Sequence, residues 1–286
     1  MLEQITPLIL TFNEAPNIER TLNQLRWAGD ILVVDSYSDD GTLQIVSRQR
    51  QARVLQRVFD GFANQCNYGL ENGAIGTEWI LNLDADYVLT DELIDELKRL
   101  EPDRSIDGYQ ARFVYCVGGR RLRSGIYPPV TVLFRRTKAK YRADGHAHRV
   151  VVDGRIANLR SPILHDDRKP LSRWFQSQVR YTELEAKKLL ASGPSSLSWM
   201  DRIRRWRIIA PPAMLFYCLV LRGGVFDGWA GFYYAFQRTV AEFMLSLYLL
   251  ENSATGQAVI SDTEAPVGSF NTHDSTPKLK AENTKL

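Results

Sequence analysis

Trp79-Ile80-Leu81-Asn82-Leu83, followed directly by Asp84-Ala85-Asp86, is the stretch whose reading decides the fold. The apolar run reads as a short buried strand, and two carboxylates meet at its carboxyl end. Ligands of open α/β sheets bind beyond the carboxyl ends of the strands, and carboxylates two apart on extended backbone point to one side. Asp84 and Asp86 therefore share access to one divalent cation, and their hard oxygens suit Mg²⁺ or Mn²⁺, which would hold the phosphates of a nucleotide. A solvated turn is the alternative. The position between a buried strand and a helix start at Thr90-Asp91-Glu92 favours the site.

Working outward, residues 7–12 read as a first buried strand, and Asn13-Glu14-Ala15-Pro16-Asn17 opens a helix with Ile18, Leu22 and Leu25 on one face. Residues 31–35 form a second strand that leads through the polar loop 36–42 into a helix near Leu43, Ile45 and Val46. A third strand is expected over 53–58 and a third helix over 62–72. Strands alternating with helices predict a mostly parallel sheet with right-handed crossovers. After Leu100 short strands at 109–116, 130–134 and 150–159 predict an antiparallel extension, with Asp153-Gly154 as a hairpin turn. Helical spacing returns over 171–190, and residues 252–286 are too polar to order themselves, which predicts a disordered tail.

The 286 residues are 44% hydrophobic and carry a formal charge of +3, too mild a basic excess for a nucleic-acid binder. Cys66, Cys116 and Cys218 lie far apart, without zinc spacing and odd in number for disulfides, which fits a reducing compartment. No basic start followed by an apolar core marks residues 1–12 as a secretory signal. A cytoplasmic protein is expected.

Three segments come in a telling order: Leu10-Thr11-Phe12-Asn13-Glu14, then residues 33–42 (Val-Val-Asp-Ser-Tyr-Ser-Asp-Asp-Gly-Thr), then Leu83-Asp84-Ala85-Asp86. In order and spacing the chain resembles the family 2 glycosyltransferases. Residues 59–67 (Phe-Asp-Gly-Phe-Ala-Asn-Gln-Cys-Asn) and 223–228 (Gly-Gly-Val-Phe-Asp-Gly) are similar to the lipopolysaccharide-core and capsule branch of that family. The resemblance implies a GT-A fold, hexosyl transfer from a nucleotide-sugar donor, a divalent cation (Mn²⁺ or Mg²⁺), and inversion at the anomeric carbon. The acceptor it implies is a cell-envelope glycan or glycolipid.

Roles follow from position. Phe12, Asn13 and Glu14 after the first strand would face the base and ribose, and Asp35 at the end of the second would accept from a ribose or base donor. Asn13 is equally a helix cap, and Asp35 equally a turn former in a turn-rich loop. Many relatives carry two consecutive acids here, and Ser36 replaces the second. Gln65 and Asn67, on a predicted helix, would reach the donor sugar or pyrophosphate; plain surface exposure is the alternative. Inverting transfer needs a base for the acceptor hydroxyl. Where relatives show a His-Glu pair, this chain has Asp144-Gly145-His146-Ala147-His148, so that His148 takes the place of the Glu and Asp144 is the next candidate. An imidazole serves as base near neutral pH; the alternative is structural histidines. Ile163-Leu164-His165-Asp166-Asp167 repeats the pattern of an apolar run ending in polar groups. His165 is a candidate third metal ligand beside Asp84 and Asp86, and Asp166 or Asp167 could serve the acceptor, unless the segment only caps the next helix. Arg120, Arg121 and Arg123 either grip phosphates or form a solvated loop.

Residues 208–221 are too short to span a membrane, and 229–250 contain Gln237, Arg238 and Glu242. A stripe from Trp229 through Phe232, Phe236 and Phe243 to Leu247, with Arg202, Arg204, Arg205 and Arg207 nearby, predicts attachment to an anionic membrane surface. Packing on the catalytic domain or a second subunit is the alternative. The expected organisation is a transferase domain over 1–170 (donor half 1–100, acceptor half 101–170), a membrane-associating helical region over 171–251, and the tail. The expected location is the inner face of the plasma membrane. The competing functions are a nucleotide-binding scaffold without catalysis and a nucleotidyltransferase; the absence of a Gly-rich phosphate loop after the first strand weighs against the second.

Overall fold

The computed structural model describes residues 1–144, 147–191 and 199–254, apart from the side chains of residues 143–149, 199–200 and 253–254. The expected tail lies outside the described residues from 255 onward. Strands β1 (Ile5–Thr11), β2 (Ile31–Asp35), β3 (Ala52–Gln56) and β4 (Trp79–Asp84) alternate with helices α1 (Ile18–Asn23), α2 (Thr42–Val46) and α3 (Phe62–Asn72). They pair in parallel in the order β4-β1-β2-β3. Alternate side chains enter two cores: Leu8, Leu32 and Ile80 pack with Ala63 and Cys66 of α3, while Ile9, Val33 and Leu81 pack with Ile18 and Leu22 of α1. Burial on both faces is why β1, β2 and β4 read as apolar runs, whereas the edge strand β3 carries Arg53 and Gln56 and is only partly buried.

β5 (Tyr87–Leu89) and α4 (Asp91–Arg99) follow, the helix capped by Thr90 Oγ1, which accepts from Leu93 N at 3.2 Å. Next come β6 (Ile106–Ala111), β7 (Phe113–Val117), β8 (Arg120–Arg121), β9 (Val130–Arg135), β10 (Ala139–Asp144), β11 (Ala147–Val152), β12 (Arg155–Asn158) and β13 (Ile163–His165). The large sheet runs β12-β6-β9-β4-β1-β2-β3, with β9 antiparallel to both neighbours; β5-β13-β7-β8 and β10-β11 form separate sheets. Two expectations are corrected here. The extension is mixed, since β12 runs parallel to β6 and β13 parallel to β7. Asp153-Gly154 is no hairpin turn: β11 pairs with β10 whereas β12 pairs with β6, so the turn passes the chain from one sheet to another. Alternation fixes which face a strand buries and leaves its partner open.

α5 (Leu171–Ala191), α6 (Trp199–Arg204), α7 (Ala210–Phe216) and α8 (Trp229–Ala254) are the last helices among the described residues. α5 meets α8 through Ala186 and Leu189 against Leu245 and Leu249. α7 and α8 cover Val117 and Leu122 with Met214, Ala230, Tyr234 and Ala235. No helix among the described residues is long and apolar enough to cross a membrane.

Candidate active site

β4 delivers Asp84 and Asp86 to the edge of two sheets. Antiparallel pairing of His165 with Tyr87 sets β13 beside the segment that follows β4, and the ladder continues with Asp166 N donating to the Asp86 carbonyl at 3.0 Å. His165 Nε2 lies 3.3 Å from Asp86 Oδ2. A solvated turn is excluded for Asp86, which is buried because β13 and the loop after it close over the strand end. Burial alone raises the Asp86 carboxyl and opposes a charged His165. The mutual attraction outweighs this, holding Asp86 below the ordinary carboxylate value and His165 above the ordinary imidazole value, with Asp84 adding to the pull on His165. Three tyrosine rings wall the imidazole, with centroids at 5.4 Å (Tyr87), 4.8 Å (Tyr115) and 4.8 Å (Tyr127). Asp86 Oδ1 and His165 Nδ1 are buried without a hydrogen-bond partner. Such atoms are costly in a folded chain unless something else satisfies them, and a carboxylate oxygen with an imidazole nitrogen is a donor pair that Mn²⁺ or Mg²⁺ accepts. Among the described residues no cluster of three or more such side chains could hold a metal by itself.

The residues after β13 fold back onto the start of α1. Lys169 Nζ lies 2.6 Å from Glu14 Oε1 and 3.8 Å from Asp167 Oδ1. Fully buried Asn17 ties the start of α1 to the segment after β13: Nδ2 donates to Glu14 (2.8 Å) and Asp167 (2.9 Å), and Oδ1 accepts from Arg168 N (2.8 Å). Burial lifts the Glu14 carboxyl to about 7, against the opposing pull of Lys169 and with Asp86 adding to the rise. Asp166 is clamped by the guanidinium groups of Arg20 and Arg168, and Gly119 N donates to its Oδ1 at 3.2 Å. Both carboxylate oxygens are thus engaged by donors, which suits a structural anchor better than a base. Sequence reading passed over Asn17, Arg20, Arg168 and Lys169. The one local signal was the density of alternating charge at 165–169 directly after an apolar run.

The predicted donor-binding residues divide into two groups. Phe12 stands 44% exposed and Tyr37 54% exposed at the mouth of the loops after β1 and β2. Asn13, with φ +56°, ties those loops together, its N–H donating to Ser38 Oγ (2.9 Å) and its Oδ1 accepting from Asp39 N (2.9 Å). Asp35 is wholly buried and accepts from Thr11 Oγ1 (2.8 Å), Ser38 N (2.9 Å) and Gln56 Nε2 (3.3 Å), as a turn former would. Gln65, expected at the donor or exposed, is buried and donates to Ser36 Oγ at 2.8 Å and to the Arg57 carbonyl at 3.1 Å. Asn67 mimics a strand neighbour, exchanging two hydrogen bonds with the Tyr141 backbone at 3.0 and 2.9 Å. It thereby docks β10 on α3, where burial pushes the Tyr141 hydroxyl well above the ordinary phenol value, with Cys66 and then Asp84 adding to the rise. The β10–β11 hairpin carries Asp144 and His148, paired in backbone register with Ala147 and Ala143; their side chains lie outside the described residues.

Comparison with known proteins bears on this arrangement. The family model described as "Glycosyl transferase family 2" matches residues 8–164. The chain is 26% identical over 266 residues to the lipopolysaccharide core biosynthesis glycosyltransferase LpsC of Rhizobium meliloti, covering 87% of this chain and 93% of that one. An uncharacterized glycosyltransferase of Rickettsia bellii is 34% identical over 110 residues, 38% of this chain and 36% of its own length. Among solved structures, S. aureus TarS residues 1–349 in complex with UDP-GlcNAc aligns at a TM-score of 0.46 and 14% identity, over 92% of this chain and 95% of that one.

Proposed function

This chain belongs to glycosyl transferase family 2, and from that membership we propose that it carries a sugar from a nucleotide donor to a lipid-anchored glycan of the cell envelope. The near full-length likeness to a lipopolysaccharide core transferase supports that acceptor class. The observation that carries the reading is the buried Asp86–His165 pair at the end of β4, with one unsatisfied atom on each side chain.

Asp86 and His165 would hold Mn²⁺ or Mg²⁺, with donor phosphate oxygens completing the shell; the ion supplies neutralisation of the charge that grows on the departing nucleoside diphosphate. Asp84, at the strand end, would accept from a hydroxyl of the donor, since it forms no three-residue metal cluster with Asp86 and His165 among the described residues. Phe12 and Tyr37 offer apolar faces for the base. Lys169, held by Glu14, keeps a fixed positive charge beside this acidic group and limits the mutual repulsion that donor phosphates would meet. The acceptor proton goes to His148, with Asp144 as its rival on the same hairpin. His148→Ala is expected to lower kcat by about 10²–10⁴-fold with little change in donor KM, since proton removal matters in the transition state. A full rate in His148→Ala beside a collapsed rate in Asp144→Asn would move the role to Asp144.

Support for membrane attachment comes from how α8 is turned. Its charged Glu242 faces inward on Arg204, while Trp229, Phe232, Phe236, Phe243 and Leu247 face outward. Between residues 202 and 250 both acids, Asp227 and Glu242, are buried, and Arg202, Arg205 and Arg222 are exposed, so every exposed charge is positive. Salt screens those charges but not aromatic burial. Binding to anionic vesicles should therefore weaken several-fold between low and high salt and persist at a residual level; complete release at high salt would contradict the aromatic contribution.

The test of the transfer itself is a screen of nucleotide sugars with Mn²⁺ for nucleoside diphosphate release, with and without lipid-linked acceptors. Donor binding without release, across donors and acceptors, would return the chain to the scaffold reading.

A further inference from the structure

Phe226 is 82% exposed, more than any other large apolar side chain described, yet the turn that carries it is pinned by a buried carboxylate. Residues Gly224–Asp227 form a single 3₁₀ turn between Gly223 (φ +74°) and Gly228 (φ +63°), two left-handed positions that favour glycine. Buried Asp227 accepts from Arg123 N (3.0 Å), Ser124 N (2.9 Å) and Ser124 Oγ (2.6 Å). Gly231 sits so close to the Gly224 carbonyl that an added Cβ would stand 2.0 Å from it, and one on Gly224 would stand 2.7 Å from the Cys218 carbonyl. The chain thus spends glycines and a buried carboxylate on fixing a turn whose outer side chains, Val225 and Phe226, touch water. Loop tips left to solvent carry small polar residues as a rule.

We propose that Val225 and Phe226 form a rigid prong that enters the acyl boundary of an anionic membrane and sets the height of the active site above it. Charge complementarity selects this occupant over a second protein. Arg222 precedes the turn, exposed and anchored by donating to the Gly125 carbonyl at 2.9 Å, and the exposed charges of residues 202–250 are all positive. The prong is joined to the Asp86–His165 pair through packed side chains. Trp229, directly after it, lies against Gly118, where an added Cβ would stand 3.3 Å from the ring, and the next residue, Gly119, donates to Asp166. On α8, Tyr234 packs on Tyr115 (4.8 Å), which packs on His165 (4.8 Å). A prong at fixed depth therefore holds Asp86 and His165 at a fixed height, which suits an acceptor whose sugar is tethered close to the headgroups. Only this last step rests on the transferase reading.

Vesicles of phosphatidylglycerol and phosphatidylcholine test the prong with the full chain. Phe226→Ser should reduce flotation with vesicles by about tenfold or more, the loss expected when one buried aromatic leaves the acyl boundary, while far-UV circular dichroism stays unchanged. Phe226→Trp should float like wild type, with emission that shifts blue on vesicles and is quenched by brominated acyl chains. If Phe226→Ser floats as well as wild type while Phe236→Ser with Phe243→Ser does not, the helix stripe alone holds the membrane and the prong is overturned. It is equally overturned if wild type ignores vesicles and forms a dimer that Phe226→Ser dissociates. Flotation that depends on Phe226, together with no diphosphate release from any donor, would support the prong and sink the transferase reading instead.

Discussion

Asp86→Asn is expected to lower kcat for nucleoside diphosphate release by about 10²–10³-fold, the loss of roughly 3–4 kcal/mol of transition-state stabilisation at 1.36 kcal/mol per tenfold. The amide keeps the volume of the buried carboxylate, so the cavity is unchanged. What goes is the charge that balances His165 and, on our reading, the metal. Losing a charge-assisted contact costs about 1–3 kcal/mol of stability, so the assay belongs well below the variant's melting temperature. A second readout separates misfolding from lost chemistry: Mn²⁺ titrated into the full chain should bind wild type and fail to bind Asp86→Asn or His165→Ala, with thermal transitions still cooperative. Equal turnover by wild type and Asp86→Asn, in chelator-treated buffer replenished with Mn²⁺, would remove Asp86 from the mechanism.

The largest stability effect is expected far from the chemistry. Arg204 lies 3.0 Å from Glu242, which is almost wholly buried, with Glu185 and Asp201 each at 3.5 Å. Burial opposes the guanidinium's charge, and Glu242 then Glu185 and Asp201 more than restore it. Removing one member of such a pair leaves the other buried and less compensated, at a cost of about 3–5 kcal/mol, whereas replacing both by apolar residues is often neutral. Glu242→Ala should therefore shift the urea midpoint strongly downward, and Arg204→Met with Glu242→Leu should recover most of the loss. A single variant within about 1 kcal/mol of wild type would mean that Glu185 and Asp201 compensate Arg204 unaided.

The sequence carried the central sheet plainly, because two-faced burial writes continuous apolar runs and each is followed by a polar stretch that opens a helix. It carried the end of β4 for the same reason: a strand's last residue announces itself when polarity changes abruptly. The hydrogen-bonding of the polar side chains did not show through. Asp35, Gln65 and Asn67 are residue types that bind sugars and nucleotides, and they are also the types that tie loops together. Only the three-dimensional neighbours Thr11, Ser36 and Tyr141 show that their bonds are already spent. Lys169 was illegible in a different way. Its partner Glu14 is 155 residues away, and no local period connects a lysine before one helix to an acid before another.

Asn17 has a consequence for the order in which the molecule is made. Its partners Asp167 and Arg168 are 150 and 151 residues downstream, so a chain emerging from the ribosome exposes β1, α1 and even β4 long before the segment that completes their polar contacts exists. Contacts of such wide sequence separation form late, after the entropy of closing a long loop has been overcome. Only when residues 165–169 exist can Glu14, Arg20 and Asp86 gain the partners Lys169, Asp166 and His165 that they have in the folded chain. The first strand-helix unit and the segment after β13 are therefore interlocked: the contacts that seal the one are the contacts that set His165 against Asp86.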